Sequence, residues 1–346
     1  MKIVVMGPIK TENYFGGVAV FDKELCYGLK EKGIDTILYT SQKDAKLNSS
    51  KIRIRIVNFI NFRKAIKKDC PDIIIASLSY AKYYLILPRI EAKKIYFLHG
   101  FFNVSTYGVI KSIFANLFQK IISKKVDLVL TNSKFTKLIN EDIFGLRIDD
   151  VLHIGMSKYF INNCHMKEKS KNHVILFSGR LVKSKHVENI IKVIKIMSNK
   201  DIDIKFKIAG TGPELKTLIK MVDNNSKIEF LGNLNESELK KQYEEAEIYV
   251  SLNPSEPFGI VFLEAISYKC KILCPNFGGQ LEFLNKENSV FECVDYDIIE
   301  SIETGINNLL EKDFISQLPK DFFYKYSYVR VADDLIRLCN SCNNEV

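Results

Sequence analysis

The chain has 346 residues, of which 47% are hydrophobic and 26% are charged. This is the composition of an ordinary globular protein, and the length allows two domains of about 150 residues each. No apolar run approaches the roughly 20 residues of a membrane-spanning helix, which argues against an integral membrane protein. Residues 1–7 are too short for a signal peptide and the eight cysteines are scattered, so we expect a cytoplasmic protein.

The net charge of +9 is distributed unevenly along the chain. Residues 1–165 carry 26 Lys and Arg against 14 Asp and Glu, whereas residues 166–346 carry 24 against 27. A basic side chain near an anionic lipid surface contributes about 1 kcal/mol to binding. The asymmetry is compatible with an anionic membrane surface as a partner of the first half, and equally with solvated lysines that have no partner.

Short apolar runs alternate with amphipathic segments along the first half. Strands are predicted at residues 3–6, 36–39, 73–76, 95–99 and 128–131, and helices at 18–29, 109–122 and 135–143. The alternation indicates parallel strands joined by crossover helices. The polar segment 162–172 is predicted to be a linker.

The same pattern restarts after the linker. Strands are predicted at residues 174–178, 206–209, 228–231, 248–251 and 272–275, and helices at 186–197, 214–222, 238–246, 260–268 and 298–310. We therefore predict an α/β protein with two Rossmann-like, doubly wound domains, residues 1–165 and 166–327, that face each other across a cleft. A last helix within residues 328–346 can return to pack on the first domain.

The most informative segment runs from Glu256 to Glu264, where a strand, a Pro-Phe-Gly turn and a helix meet. The first amides of a helix have no acceptor in their own turn and favour an anion. The carboxylates on either side of such a site suit hydroxyl groups. The segment therefore predicts a ligand with a phosphate core and hydroxyls at both ends, and a nucleotide sugar fits that description.

A basic loop follows the first strand of the second domain. It places Arg180 directly after Gly179, and Lys185 at the mouth of the next helix. Two fixed cations there would neutralise a diphosphate without a metal, although a solvated basic loop is an open alternative. The segment 210–214, Gly-Thr-Gly-Pro-Glu, is either a nucleotide contact or a tight turn with Pro213 at the first helical position.

The first domain has two weaker candidates. Gly17 follows another glycine where a helix begins, so its amide either approaches a ligand or belongs to a simple turn. His99 closes a strand, where it can hydrogen-bond a substrate hydroxyl or have a structural role. No histidine spacing indicates a metal site, and Asp297 is expected to cap a helix, so no metal is predicted.

Several motifs fall in the order and spacing of one known family. They are Glu256 and Glu264 around Pro257-Phe258-Gly259, Ser178-Gly179-Arg180 with Lys185, the turn 210–214, and Gly278-Gly279 before Glu282. With these motifs the chain resembles the family 4 glycosyltransferases, which are retaining, metal-independent enzymes of the GT-B fold. The resemblance is strong over residues 174–285 and weaker in the first domain. The chain departs from the family pattern at His186, where glycine is usual.

The resemblance implies a set of site residues. The catalytic set is His99, Arg180, Lys185 and Glu256, and the donor-binding set is Gly17, Arg180, Lys185, Gly259, Ile260, Val261 and Glu264. The two cations and Gly17 would bind the donor diphosphate, and the amides of residues 259–261 would help bind the phosphates or the sugar. Glu256 would hold hydroxyls of the donor sugar, Glu264 would hold the ribose hydroxyls, and His99 would contact the sugar near the reacting centre.

The resemblance implies a hexosyltransferase that moves a sugar from a nucleotide-diphosphate donor, with UDP the most prevalent nucleotide in the family. The acceptor would be a glycan or lipid-linked precursor of a cell-surface polysaccharide, such as O-antigen, lipopolysaccharide or capsule. No cofactor besides the donor is expected, and the enzyme would be peripheral on the inner face of the membrane. A nucleotide-sugar epimerase and a glycogen-type synthase are alternatives on the same fold. A basic nucleic-acid-binding protein is the non-enzyme alternative, but no nucleic-acid-binding motif is recognisable.

Overall fold

The chain folds into two units, each built on its own parallel sheet. A computed structural model describes residues 1–9, 17–42, 52–102, 104–164, 168–200 and 202–341. The first unit comprises Met1–Lys158 and Tyr324–Val346, and the second comprises Tyr159–Phe323. The boundary predicted at residues 165 and 166 lies outside the described residues. Within the described ranges, every helix falls short of the length and apolar content that crossing a bilayer requires.

The first unit alternates strands and helices. Its strands are β1 (Lys2–Met6), β2 (Asp35–Thr40), β3 (Arg53–Ile56), β4 (Ile73–Ser77), β5 (Lys93–Leu98), β6 (Leu128–Thr131) and β7 (Asp150–Val151). The helices are α1 (Gly17–Glu31), α2 (Phe62–Asp69), α3 (Val104–Tyr107), α4 (Val109–Ser123), α5 (Lys134–Leu138) and α6 (Lys158–Asn163), which contains the boundary between the units. A 3₁₀ segment at Leu78–Ile86 and a π-helical turn at Ile139–Ile143 complete it.

The first sheet has the order β3-β2-β1-β4-β5-β6-β7, and all its pairings are parallel. The order reverses between β1 and β4, and in doubly wound sheets ligands bind beyond the carboxyl ends of the strands at such a point. β3 and β7 were not predicted. Arg-Ile-Arg-Ile at the sheet edge has no continuous apolar run, and a two-residue strand is too short to leave a pattern.

The second unit repeats the architecture. Its strands are β8 (Val174–Ser178), β9 (Lys205–Ala209), β10 (Ile228–Gly232), β11 (Ile248–Val250), β12 (Lys271–Pro275) and β13 (Phe291–Val294). Its helices are α7 (Val187–Asn199), α8 (Leu215–Val222), α9 (Glu236–Glu245), α10 (Ile260–Ser267), α11 (Ile299–Glu311) and α12 (Phe322–Lys325), which ends in the first unit. The sheet order is β10-β9-β8-β11-β12-β13, again parallel, and it reverses between β8 and β11. The prediction of two Rossmann-like, doubly wound domains is confirmed.

The last helix, α13 (Tyr328–Ser341), belongs to the first unit. Its buried face packs against α1, and Leu335 and Val331 join the hydrophobic core beneath the sheet. A side chain at Gly28 on α1 would overlap the carbonyl of Tyr328, so the absence of a Cβ there allows the close approach. The C-terminal segment thereby completes the core of the N-terminal unit.

A fully buried ion pair ties the second sheet together. Lys271 Nζ on β12 lies 2.8 Å from Glu247 Oε1, and neither side chain is exposed. The ammonium also donates to the carbonyl of Leu309 and lies 4.4 Å from the ring centroid of Phe314. Glu247 Oε2 accepts the amides of Asn172 and His173. Because both charges have several partners, the desolvation cost is offset only while the whole set is present.

Two local predictions are corrected by the backbone. Asp297 does not cap α11, because Ile298 occupies the N-cap position and the helix begins at Ile299. Pro213 precedes the helix instead of opening it, since α8 begins at Leu215.

His186, at the position where the resembled family has glycine, adopts the left-handed conformation with φ +49°. The histidine therefore keeps a backbone geometry that normally favours glycine.

Candidate functional site

The reversal of strand order in the second unit gathers most of the predicted site residues. The loop after β8 carries Arg180 and Lys185, and the loop after β11 carries Glu256 and leads into α10. β8 and β11 are paired neighbours, so both loops leave the same edge of the sheet. The site therefore lies where doubly wound domains bind their ligands.

Lys185 and Glu256 form an ion pair at this edge. The Nζ atom lies 2.6 Å from Glu256 Oε2, and the two side chains are only 20% and 13% exposed. Asn253 Nδ2 donates to the same oxygen at 3.1 Å, whereas Glu256 Oε1 receives no hydrogen bond from the described residues. Burial pushes the pKa of Glu256 upward, but the charge and hydrogen bond of Lys185 outweigh it, so the net pKa lies below its usual value. The carboxylate is thus ionised, with one oxygen available.

The Arg180 loop is held by close backbone packing. The backbone amide of Gly179 donates to the carbonyl of Ala209, and the backbone amide of Leu181 donates to the carbonyl of Thr211, each at 2.9 Å. A Cβ on Gly210 would overlap the carbonyl of Gly179, so the glycine permits the two loops to touch. The Arg180 side chain is exposed and pairs with no side chain in the described part of the chain. The loop therefore presents a guanidinium whose hydrogen-bonding capacity is unused.

The start of α10 lies beside the ion pair. Gly259 is its N-cap residue and has φ +87°, a conformation that a side chain would strain. Ile260 and Val261 form the first turn, where backbone amides have no intrahelical acceptor. The backbone amide of Gly279 donates to the Glu256 carbonyl at 2.9 Å and holds the loop that leads into the helix. The amides of Gly259, Ile260 and Val261 therefore lie at the helix end that attracts anions.

Glu264 lies one helical turn further along α10 and is held by Tyr243. The tyrosine hydroxyl donates to Glu264 Oε2 at 3.0 Å and lies 3.1 Å from Ser178 Oγ at the end of β8. Burial raises the pKa of Glu264 to about 8, and the hydrogen bond from Tyr243 lowers it in part. The carboxyl is therefore protonated at neutral pH.

The two predicted site residues of the first unit lie at the corresponding edge of its own sheet. Gly17 is exposed and is the first residue of α1, with open space where a side chain would be. His99 directly follows β5, and its ring packs edge-on against Phe21 and Phe97, with centroids 4.8 and 4.6 Å away. Burial lowers the pKa of His99 to about 3, so the imidazole is neutral at physiological pH.

A chain of hydrogen bonds supports His99. Its Nε2 atom lies 3.0 Å from Ser77 Oγ at the end of β4, and Ser77 donates to Asp22 Oδ1 at 2.6 Å. Asp22 is fully buried on α1, and its Oδ2 atom has no partner among the described residues. A Cβ on Gly7 would overlap this carboxyl group, so the glycine after β1 provides its space. Burial raises the pKa of Asp22 well above its usual value.

The residues that support the predicted site residues were not predicted. Asn253 and Tyr243 hold the two carboxylates of the second unit, and Ser77 and Asp22 support His99. Ser77 directly follows the predicted strand 73–76, and a polar residue at the end of a strand is a usable signal of a site. An aspartate or a tyrosine inside a helix gives no such signal. Among the described residues, no three His, Cys, Asp or Glu side chains gather closely enough to hold a metal ion.

Known proteins resemble the second unit and most of the chain. Residues 165–325 match the family described as Glycosyl transferases group 1. The uncharacterized glycosyltransferase MJ1607 of Methanocaldococcus jannaschii is 31% identical over 175 residues, which is 48% of this chain and only 44% of that relative. The O-antigen biosynthesis glycosyltransferase WbnH of Escherichia coli is 26% identical over 306 residues, covering 85% of this chain and 87% of the relative.

The fold has solved counterparts. The Anabaena protein Alr3699/HepE, in a crystal structure with UDP and glucose, superposes with a TM-score of 0.75 at 16% identity. The superposition covers 99% of this chain and 100% of the other. At this level of identity the likeness concerns the fold alone.

Proposed function

We propose that the protein transfers a hexose from a nucleotide-diphosphate donor with retention of configuration and without a metal, and the match of residues 165–325 to the group 1 glycosyltransferases supports this. The observation that carries the proposal is the Lys185–Glu256 pair, with its nearby cation Arg180, at the strand-order reversal beside the start of α10. It combines positive charge and helix amides for a diphosphate with a carboxylate oxygen for hydroxyls.

The chemistry of each protein group indicates which part of the donor it binds. Arg180 and Lys185 bind the diphosphate together with the amides of residues 259–261, and Glu256 Oε1 accepts from hydroxyls of the sugar. Glu264 accepts from the ribose hydroxyls, which lie at the other end of the same ligand. From the first unit, Gly17 approaches the diphosphate and His99 contacts the sugar. UDP is the proposed nucleotide, and the solved complex of Alr3699/HepE with UDP and glucose supports that choice.

The proposed mechanism uses charge stabilisation. As the bond between the sugar and the diphosphate breaks, negative charge grows on the leaving group, and Arg180, Lys185 and the α10 amides stabilise it. The sugar becomes oxocarbenium-like, and the acceptor hydroxyl attacks from the face that the leaving group departs from. An oxygen of the donor phosphate takes the hydroxyl proton, so the protein need not supply a base. Glu256 holds hydroxyls and does not act as a nucleophile.

The acceptor is proposed to be a glycan or lipid-linked precursor of a cell-surface polysaccharide. The similarity to WbnH, which is named for O-antigen biosynthesis and matches most of the chain, supports O-antigen as that polysaccharide. The basic first half supports work at the cytoplasmic face of an anionic membrane.

Thermal-shift titration with a panel of nucleotide sugars tests the proposal, since a ligand that binds only the folded state raises the unfolding temperature. We expect one uridine diphosphate sugar to stabilise the protein, and EDTA to leave both the shift and turnover unchanged. NMR of the product formed with that donor should show the anomeric configuration of the donor. If no nucleotide sugar shifts the transition, the protein does not have the proposed function.

Glu264 predicts a pH dependence of donor binding. Its raised pKa of about 8 means that the free protein holds a proton there at pH 7, whereas ribose hydroxyls favour the carboxylate. Binding then releases the proton, so the Kd for UDP should fall about tenfold between pH 7 and pH 9. Calorimetry across this range measures the Kd.

Two variants test the assignment to Glu264. In Glu264→Gln the Kd should not change with pH. Tyr243→Phe should move the transition to higher pH, because it removes a hydrogen bond that lowers the pKa of Glu264. An unchanged profile in Glu264→Gln would rule out this carboxyl as the titrating group.

A further inference from the structure

Helix α4 turns its apolar side away from the protein. Five large apolar residues on one side of the helix form a stripe and are between 43% and 70% exposed, namely Ile110, Ile113, Phe114, Leu117 and Ile121. The buried residues of the helix are instead Ser112, Gln119, Ile122 and Ser123. A crossover helix normally packs its apolar stripe on the sheet. An exposed stripe of this size marks an interaction surface.

The charges around the stripe select its partner. Residues 104–125 contain the four lysines Lys111, Lys120, Lys124 and Lys125 and no acidic residue, and all four lysines are exposed. Two copies of this helix paired through their stripes would bring eight lysines close together with no acidic partner on the helix. An anionic lipid surface is complementary both to the apolar stripe and to the basic residues beside it.

We propose that α4 is a docking helix that lies in the headgroup region of an anionic bilayer. The stripe enters the apolar boundary, and the four lysines contact lipid phosphates. The polar residues Ser112 and Gln119 face the protein, so the stripe is available without unfolding of the unit. This inference rests on the proposed function, since it explains how the enzyme reaches a lipid-linked acceptor, and it identifies the surface that the charge asymmetry alone leaves open.

Vesicle co-sedimentation of the full chain tests the docking helix. We expect binding to vesicles of phosphatidylglycerol and phosphatidylethanolamine, and little binding to phosphatidylcholine alone. The double variant Ile113→Ser/Phe114→Ser should weaken binding about tenfold or more, because it removes the centre of the stripe. Ile219→Ser is the matched control, since Ile219 is 50% exposed on α8 outside the stripe. Replacing Lys111, Lys120 and Lys124 by glutamine should reduce the salt dependence.

Three outcomes would overturn the docking proposal. They are failure of the protein to bind anionic vesicles, equal binding by the double variant, and a dimer that the double variant abolishes, which would assign the stripe to a second copy. UDP binding measured in the same preparations separates this inference from the function on which it rests. Intact UDP binding without vesicle binding removes only the docking helix, whereas absent UDP binding contradicts the proposed function itself.

A second, independent observation concerns His99. The Ser77 hydroxyl has one proton and donates it to Asp22 Oδ1, so its oxygen accepts from His99 Nε2. In a neutral imidazole, a proton on Nε2 leaves the lone pair on Nδ1. Because the Ser77 hydroxyl donates to Asp22 Oδ1, that carboxyl oxygen carries no proton of its own. We infer that Asp22 and Ser77 are positioning residues that hold His99 in the Nε2–H tautomer, so that Nδ1 accepts a hydrogen bond from a substrate hydroxyl.

Long-range ¹H–¹⁵N NMR of the imidazoles tests this tautomer directly. The wild-type His99 signals should show a protonated Nε2, and Ser77→Ala should give a mixture of tautomers with a kcat about tenfold lower. Ser77→Thr keeps the hydroxyl and should restore the wild-type tautomer. A wild-type ring protonated on Nδ1, or a tautomer that Ser77→Ala leaves unchanged, would contradict the inference. If Ser77→Ala fails to fold, the wild-type spectrum decides alone. The tautomer does not depend on the proposed function, whereas the fall in kcat does.

Discussion

Replacing Lys185 by methionine is expected to lower the rate of sugar transfer about 100- to 1,000-fold, the usual effect of removing one group that stabilises transition-state charge. Lys185 is expected to meet the growing charge of the leaving diphosphate, and its loss also leaves Glu256 without its cation at 2.6 Å. The pKa of Glu256 then rises toward the value that burial imposes, which weakens its hold on sugar hydroxyls. Steady-state kinetics with the identified donor measure the effect.

Lys183→Met is the matched control for this prediction. Lys183 stands two positions earlier in the same 3₁₀ turn, and its side chain is exposed. If general basicity of the loop were responsible, both variants would lose the same activity, and the assignment of Lys185 would be wrong. Lys185→Arg should recover little, because the planar guanidinium does not match the site of a compact ammonium.

Replacing Lys271 by methionine is expected to lower the free energy of unfolding by about 3–5 kcal/mol, because it leaves the Glu247 charge buried without a cation. The second unit then retains a carboxylate that is 0% exposed. Chemical denaturation followed by circular dichroism measures the loss. The double variant Lys271→Met/Glu247→Gln should be more stable than Lys271→Met alone, since the uncompensated charge is gone.

The surface pair Lys227–Asp203 provides the control for the buried pair. Its Nζ–Oδ1 distance is 2.5 Å, but the side chains are 36% and 80% exposed. Solvent screens such a pair, so Lys227→Met should leave the denaturation midpoint nearly unchanged. Equal losses of unfolding free energy from Lys271→Met and Lys227→Met would mean that burial does not determine how much the ion pair contributes to stability.

The architecture was largely predictable because buried parallel strands are continuous apolar runs. β8 was predicted with its observed bounds, the predicted GT-B fold is confirmed, and residues 165–325 match the Glycosyl transferases group 1 family. Membership of family 4, the donor, the acceptor and the roles of the site residues stay predictions. The segment Glu256 to Glu264 was readable because its carboxylates, turn and helix start are adjacent in the chain.

The partners of those residues were not readable. Lys185 and Glu256 stand 71 positions apart, and Asp22 and Ser77 stand 55 apart. Each pair meets only because a sheet reverses its strand order and brings two distant segments of the chain to one edge. Tyr243 near Glu264 is a comparable case, since a tyrosine on a polar helix carries no local sign of its role.

Helix α4 shows most clearly which properties follow from local sequence and which depend on contacts between distant residues. The three-and-four spacing of its apolar residues is a local property, so the sequence determines that a helix with an apolar stripe forms at Val109–Ser123. The direction of that stripe depends on which face the rest of the unit covers. Only the tertiary structure places Gln119 and Ile122 inward and Phe114 in solvent, because burial results from contacts among residues far apart in the chain.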